Sequence, residues 1–425
     1  MTPPKTFLEA FEVHNFALFE RERIDLHPRV TVLVGQNDVG KSLLLEAITL
    51  YGRIQKAGFR GPLSYTNFQT TGERVTTFVA EWSMDGKRWR HVLKLHADTP
   101  EERVEHGDRF WSWNPRERVL STETGEYAAK ELDRYQTLSR IELAKWKLDT
   151  EIAESVYKPL SVVNSFGTPP AYLFEPSALG RRAPLDLEEP RRNGFGWSLW
   201  LQAIVNRRND DLTNLEATVR SLFPFFGRVL VRENRLKIEQ EISELGQPQT
   251  GDASTLERAE SANYLFDMLK QQASFREVFI EPRNEPAGEN TRFSTAQVSS
   301  GILLTLAHLS LMYASEGGEL QLIEEPENGL NPKITLEMIR ALLDVVSERN
   351  KQLVLTTHNA WWLDLVPEDA IRVIVRDQDG AHIHRPDHNG LRRLREDLDI
   401  YPSEVMSIHG PEALVNVGKL QDELS

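Results

Sequence analysis

Residues 35–42 read Gly-Gln-Asn-Asp-Val-Gly-Lys-Ser and fit the pattern G-x-x-x-x-G-K-[ST]. Glycines at that spacing let backbone N–H groups turn inward around phosphate oxygens. A helix starting there adds the partial positive charge of its N-terminus. A nucleotide would be held by Gly35, Asn37, Gly40, Lys41 and Ser42, with Lys41 reaching the β- and γ-phosphates and the Ser42 hydroxyl on Mg²⁺. A plain glycine turn is the competing reading, and the flanks argue against it. The apolar, β-branched run Val30–Val34 leads in as a buried strand, and residues 42–48 lead out as a helix.

A second cluster lies far downstream. Leu320-Gln321-Leu322-Ile323 predicts an apolar strand that ends in Glu324-Glu325-Pro326-Glu327. Two acids at such a strand end suit an ATP–Mg²⁺ site: Glu324 holds the water shell of Mg²⁺, and Glu325 orients and deprotonates the attacking water. Lys351–Thr357 predicts another buried strand, which exits at His358, placed to hydrogen-bond the γ-phosphate or the water. Ahead of both, Val298-Ser299-Ser300-Gly301-Ile302 opens a long apolar helix to about Ala314. Small residues at a helix start form an anion site, with an ordinary serine N-cap as the alternative.

Together these residues resemble the ABC-type ATPases, whose signature run is Leu-Ser-Gly-Gly-Gln. Ser299 and Gly301 match it, Ser300 replaces the first glycine, and Val298 and Ile302 replace the ends. Glu324 stands where the family has aspartate, one methylene longer with the same charge. Asn328-Gly329-Leu330-Asn331 falls at the family's D-loop, which brings Asn331 to the nucleotide, and His358 falls at its switch histidine. The resemblance implies ATP and Mg²⁺ as ligands and a head-to-tail dimer or higher homo-oligomer. Each ATP would lie between one copy's phosphate loop and the other copy's Ser299–Gly301.

Within the family, the gap from Lys41 to Ser299 is much longer than in transporter nucleotide domains and far shorter than in the long-armed chromosome type. The chain looks most like the compact RecF-like and OLD-like branch (related to SMC proteins). The similar stretches are Phe11–Phe19, Leu222-Phe223-Pro224 and Ile323–Leu330. Ala17 departs from the Arg or Lys often found there, and Gln69 is the candidate Mg²⁺-coordinating Q-loop residue. OLD-type proteins carry a TOPRIM nuclease domain, for which too few residues follow His358. Asp377-x-Asp379 lies between two predicted strands and reads as a hairpin turn. The resemblance extends to ATPase subunits of bacterial anti-phage systems, and so implies a separately encoded nuclease or toxin as partner. The alternative is a RecF-like ATPase of DNA repair or recombination that grips duplex DNA.

These residues need a fold to position them. The expected class is α/β: an ABC-type P-loop ATPase head, with a mixed central sheet flanked by helices, an antiparallel β subdomain and a largely helical insertion. Residues 1–100 would form the N-terminal half of the head, 101–290 the insertion or short arm, and 291–425 the C-terminal half. Val75–Trp82 and Trp89–Leu95 alternate about an Asp85-Gly86 turn, which predicts a hairpin. Residues 128–160, 197–223 and 256–273 read as helices, 226–242 as strands, and 167–196 and 282–291 as loops.

With 40% hydrophobic and 27% charged residues, the 425-residue chain has the balance of a globular protein with a large core. A net charge of −14 argues against an obligate nucleic-acid coat, and acidic neighbours make solvated surface of most of its paired arginines. The absence of cysteine excludes disulfide and zinc-thiolate chemistry. The longest apolar stretch, Ile302–Ala314, is too short to span a bilayer, and no signal-peptide core opens the chain. A cytoplasmic protein without a membrane partner is expected. Trp111, Trp113, Trp361 and Trp362 are candidates for base stacking, with core packing the commoner use of tryptophan.

Overall fold

Two hydrophobic periods build two kinds of sheet. Strands whose side chains alternate between buried and exposed form an antiparallel sheet in the order Phe19–Asp25, Thr6–Phe16, Val75–Met84, Lys87–His96, Glu101–His106, Arg109–Asn114, Val119–Thr122, Gly125–Ala128. Strands that are largely apolar and buried throughout form the core of a second sheet. Every residue of Val30–Val34, Leu320–Glu324 and Gln352–Thr356 is buried, as expected of strands covered on both faces. That sheet runs Ala171–Tyr172, Leu320–Glu324, Gln352–Thr356, Val30–Val34, Ile371–Arg376, Ala381–His384. Leu320–Glu324, Gln352–Thr356, Val30–Val34 and Ile371–Arg376 are parallel, and the last strand is antiparallel. The mixed central sheet and the antiparallel subdomain expected from the sequence are both present.

This computed structural model describes residues 5–58, 75–96, 100–114, 116–123, 125–128, 138, 171–207, 210–234, 275–283, 291–314 and 320–417. Gln69, the expected helix over 256–273 and all but residues 128 and 138 of the expected helix over 128–160 lie outside the described residues. The chain divides into two units, one of residues 1–171, 316–328 and 343–425, the other of 172–315 and 329–342.

In the first unit, helix Lys41–Ala57 shares a core with the antiparallel sheet. Leu44, Ile48 and Tyr51 join Phe11, Phe16, Phe78, Trp82, Trp111 and Trp113 in one buried cluster. Trp111, Trp113 and Trp362 are thus core residues, while Trp361 is 39% exposed. The Asp85-Gly86 hairpin forms as expected: Met84 pairs with Lys87, and both turn residues have positive φ (46° and 76°), the backbone of a type I′ turn. Asp377–Gly380 also forms a hairpin turn, with Arg376 opposite Ala381.

Residues 101–128 correct the expectation of a mostly helical insertion from 101 onward, since they add four strands to the antiparallel sheet. Their period of two is masked by a charge at an inward position. Glu102 is 1% exposed, on the same face as Val104. It is tolerated because its carboxylate meets His91 Nε2 at 2.8 Å and accepts the backbone N–H of Leu138 at 2.5 Å. Tyr51 Oη lies 2.8 Å from His91 Nδ1, and Gln55 and Trp82 both donate to Tyr51 Oη. This buried network ties the phosphate-loop helix to the sheet.

The second unit holds an antiparallel pair, Phe226–Asn234 with Phe275–Pro282, edged by Ala183–Pro184 and Phe293–Ser294. The expected helical stretch 197–223 is two helices, Ser198–Arg207 and Asp211–Leu222. Both pack on helix Ser300–Ala314, which is buried all round from Ile302 onward and so reads as a core helix. Arg207 donates to the carbonyls of Tyr313 and Ala314, a cation placed at the helix C-terminus where it is most favourable.

Candidate functional site

The central sheet brings the candidate residues of the first unit to one edge through its register. Glu324 pairs with Thr356, and Thr356 with Leu33, so three parallel strands end level. Their C-terminal extensions carry Glu324-Glu325, His358 and the phosphate loop. Open parallel sheets bind ligands at this edge.

The phosphate loop is shaped by its glycines. Gly40 has φ +113°, a conformation that costs other residues dearly, and a Cβ on Gly35 would lie 2.5 Å from the carbonyl oxygen of Ile374. Helix Lys41–Ala57 starts directly after, with Leu44 N–H donating to Gly40 O at 2.9 Å. Asn37 sits exposed at the crest of the loop, on the wall of a cavity of about 630 Å³ shared with Asp38, Arg376 and Glu412.

Lys41 is 6% exposed, and its ammonium donates to the carbonyls of Gly35 (2.9 Å) and Gln36 (2.6 Å). Burial lowers its pKa, while the carboxylates of Glu325, Asp38 and Glu412 oppose that shift. Ser42 Oγ donates to Glu324 Oε2 at 2.7 Å, and Glu324 is itself 5% exposed. This pair of converging oxygens fits Mg²⁺, a hard ion that uses one or two protein oxygens beside substrate phosphates. Among the described residues no cluster of three or more His, Asp or Glu side chains offers a self-contained metal site.

Glu325 adopts φ +43°, an uncommon backbone for a side chain of this kind, and its N–H donates to Thr356 O at 2.9 Å. Strained backbone of this sort gathers at functional sites. The bend leaves its carboxylate partly exposed, with Oε1 3.2 Å from His358 Nε2. His358 has its pKa lowered by burial first and by Lys41 second, against the pull of Glu325, so the imidazole is neutral at pH 7. A depressed histidine pKa means that the unfolded chain takes up its proton first. Folding stability from this group is therefore intact above pH 6.5 and falls as pH drops below it. If neutral His358 is the working form, the acid limb of kcat/KM for ATP is centred below pH 6.5. A pH–rate profile with its acid limb centred above 6.5 would contradict this.

The remaining candidates belong to the second unit. Ser299 stands at the N-cap, its carbonyl accepting the N–H groups of Ile302 and Leu303, and Ser299 and Ser300 are exposed. A Cβ on Gly301 would make only ordinary contacts, 3.6 Å to Leu330 and 3.9 Å to Phe223, so the chain itself does not demand glycine there. Asn331 has a local task as well: its Oδ1 accepts the N–H of Ile334 at 3.0 Å and caps helix Pro332–Glu348.

One residue was not singled out from the sequence. Glu327 accepts hydrogen bonds from Thr357 Oγ1 and Trp362 Nε1 beside the histidine. The only hint was a third acid in the run 324–327.

Comparison with known proteins agrees with this geometry. Residues 207–360 match a family model described as "AAA domain, putative AbiEii toxin, Type IV TA system", and residues 7–56 match an AAA ATPase domain. Over 118 residues the chain is 27% identical to Protein ea59 of Escherichia phage lambda. The match takes in 28% of this chain and 22% of that protein, so the chain spans under a quarter of the curated relative it matches. The structure is similar to an SmcHead crystallised with the C-winged helix domain of ScpA, with TM-score 0.51, 11% identity, and 89% and 97% of the two chains covered. The SMC head domain from Thermotoga maritima superposes less closely, with TM-score 0.41, 13% identity, and 89% and 98% covered. The fold is that of a P-loop ATPase head, similar to the SmcHead, and two AAA ATPase family models between them span the phosphate loop, both acids and the histidine.

Proposed function

We propose that the chain hydrolyses ATP to ADP and phosphate and uses ATP-driven closure of a head-to-tail dimer as a switch. The observation that carries this reading is the meeting of Ser42 with Glu324 and of Glu325 with His358 at one sheet edge. Lys41, now resting on loop carbonyls, would exchange them for β- and γ-phosphate oxygens. Ser42 and Glu324 would hold Mg²⁺, which when bound neutralises charge on the phosphates. Glu325 takes the proton from the attacking water as its oxygen bonds to the γ-phosphorus and the β–γ bridging oxygen leaves with ADP. Neutral His358 holds the Glu325 carboxylate in place. Ser299, Ser300 and Gly301 of a second copy would close over the γ-phosphate, and Asn331 would reach the nucleotide. Exposed serines and a glycine that its own chain does not require support that role.

The switch would serve bacterial anti-phage defence by controlling a separately encoded nuclease or toxin. The toxin-system description of the matched family supports this, as does an acidic chain suited to a protein partner. The test is co-purification from the native host with and without Lys41→Ala. A neighbouring gene's product that is retained by the native chain and released by the variant is the expected result. A dimer indifferent to its genomic neighbours would count against effector control.

A further inference from the structure

We infer that Glu327 is the positioning residue of the hydrolytic pair: its carboxylate joins the two loops that leave adjacent strands and sets the spacing of Glu325 and His358. The inference rests on the ATPase reading above and deepens it. Strands Leu320–Glu324 and Gln352–Thr356 stay in register to Glu324 and Thr356, and the bond from Glu325 N–H to Thr356 O continues the ladder one step further. Beyond that step a side chain makes the link. A turn closed by Asn328 N–H on Glu325 O (2.9 Å) folds Glu327 back toward the histidine loop. There its Oε1 accepts the Thr357 hydroxyl and the backbone N–H of His358 (3.4 Å), and its Oε2 accepts the indole N–H of Trp362 (3.2 Å).

Three donors converge on this one carboxylate, and Trp362 is fully buried. Burial pushes the Glu327 carboxyl above its ordinary pKa, while Thr357, Trp362 and the N–H of His358 draw it back. An ionised carboxylate suits such a set of partners because it accepts on both oxygens, whereas an amide accepts on one. Thr357 Oγ1 also accepts the N–H of Asn359 at 2.8 Å, so the clamp grips both sides of His358. With its oxygens engaged in this way, Glu327 acts through His358 and not on the nucleotide.

The test compares four full-length chains: native, Glu327→Gln, Glu327→Gln/Trp362→Phe, and Glu325→Gln. In Glu327→Gln the amide –NH₂ faces the Trp362 N–H, donor against donor. Trp362→Phe removes that conflict and leaves the amide oxygen to Thr357 and His358. A misplacement of about 1 Å can cost about 10²-fold in rate. The expected result for Glu327→Gln is a kcat about 10- to 100-fold lower, with ATP affinity within about twofold of native, and at least a tenfold recovery in the double variant. Native kcat in Glu327→Gln, or equal losses in kcat and ATP affinity, or no recovery in a folded double variant, would overturn the inference. If Glu327→Gln does not fold, the double variant measured against the native chain decides: near-native kcat upholds the inference and a deep loss overturns it. A native chain without ATPase activity removes the ATPase reading and this inference with it. Native activity that is lost in Glu325→Gln but kept in Glu327→Gln removes this inference alone.

Discussion

Glu325→Gln is expected to bind ATP, remain closed as a dimer and turn over roughly 10²–10⁴ times more slowly than the native chain, the usual worth of a positioned general base. The substitution keeps the size of the side chain and its contact with His358, now 3.2 Å from the carboxylate. It removes only the ability to take a proton from water. Glu324, which pairs with Ser42, is untouched, so the binding half of the site survives. Single-turnover hydrolysis and sedimentation with ATP test both parts. Native turnover in the variant would refute the base assignment, and slow turnover without a closed dimer would refute the switch.

Lys41→Ala is expected to weaken ATP binding on the order of 10²-fold or more. A hydrogen bond to a charged group contributes about 1.5–3 kcal/mol, and each 1.4 kcal/mol is about tenfold in affinity. Lys41 is placed to make two such bonds. Its ammonium is already held at the loop by two carbonyls, and it carries its charge there at the expense of burial. Alanine leaves Gly35 and Gly40 unaltered, so the loop keeps its backbone path and the loss reports on the charge. Equilibrium titration with ATP measures it, and an unchanged Kd would place the phosphates elsewhere.

Much of the site was legible because its residues sit at the ends of strands with an unmistakable period. Val30–Val34, Leu320–Ile323 and Lys351–Thr357 are short, largely apolar or β-branched runs, followed in turn by the glycine of the phosphate loop, by Glu324-Glu325 and by His358. The hairpins at Asp85-Gly86 and Asp377–Gly380 were legible from local turn chemistry. Strands 101–128 were hidden because Glu102 faces inward, and its partner His91 belongs to another strand. Glu327 was hidden for the same kind of reason. Its partners Thr357 and Trp362 lie 30 and 35 residues away, and a third acid after a strand looks like a solvated turn. Asn331 carries two signals at once: Asn before Pro332 marks a helix start in its own right, beside the nucleotide contact that the resemblance implies.

The most direct test of the central claim is the steady-state ATPase rate of the purified chain with Mg²⁺, with and without duplex DNA, using Lys41→Ala as the blank. A slow, Mg²⁺-dependent release of phosphate that vanishes in Lys41→Ala and does not change with DNA is the predicted result. Equal phosphate release from both chains would contradict the site built here, and strong stimulation by DNA would contradict control by a protein effector.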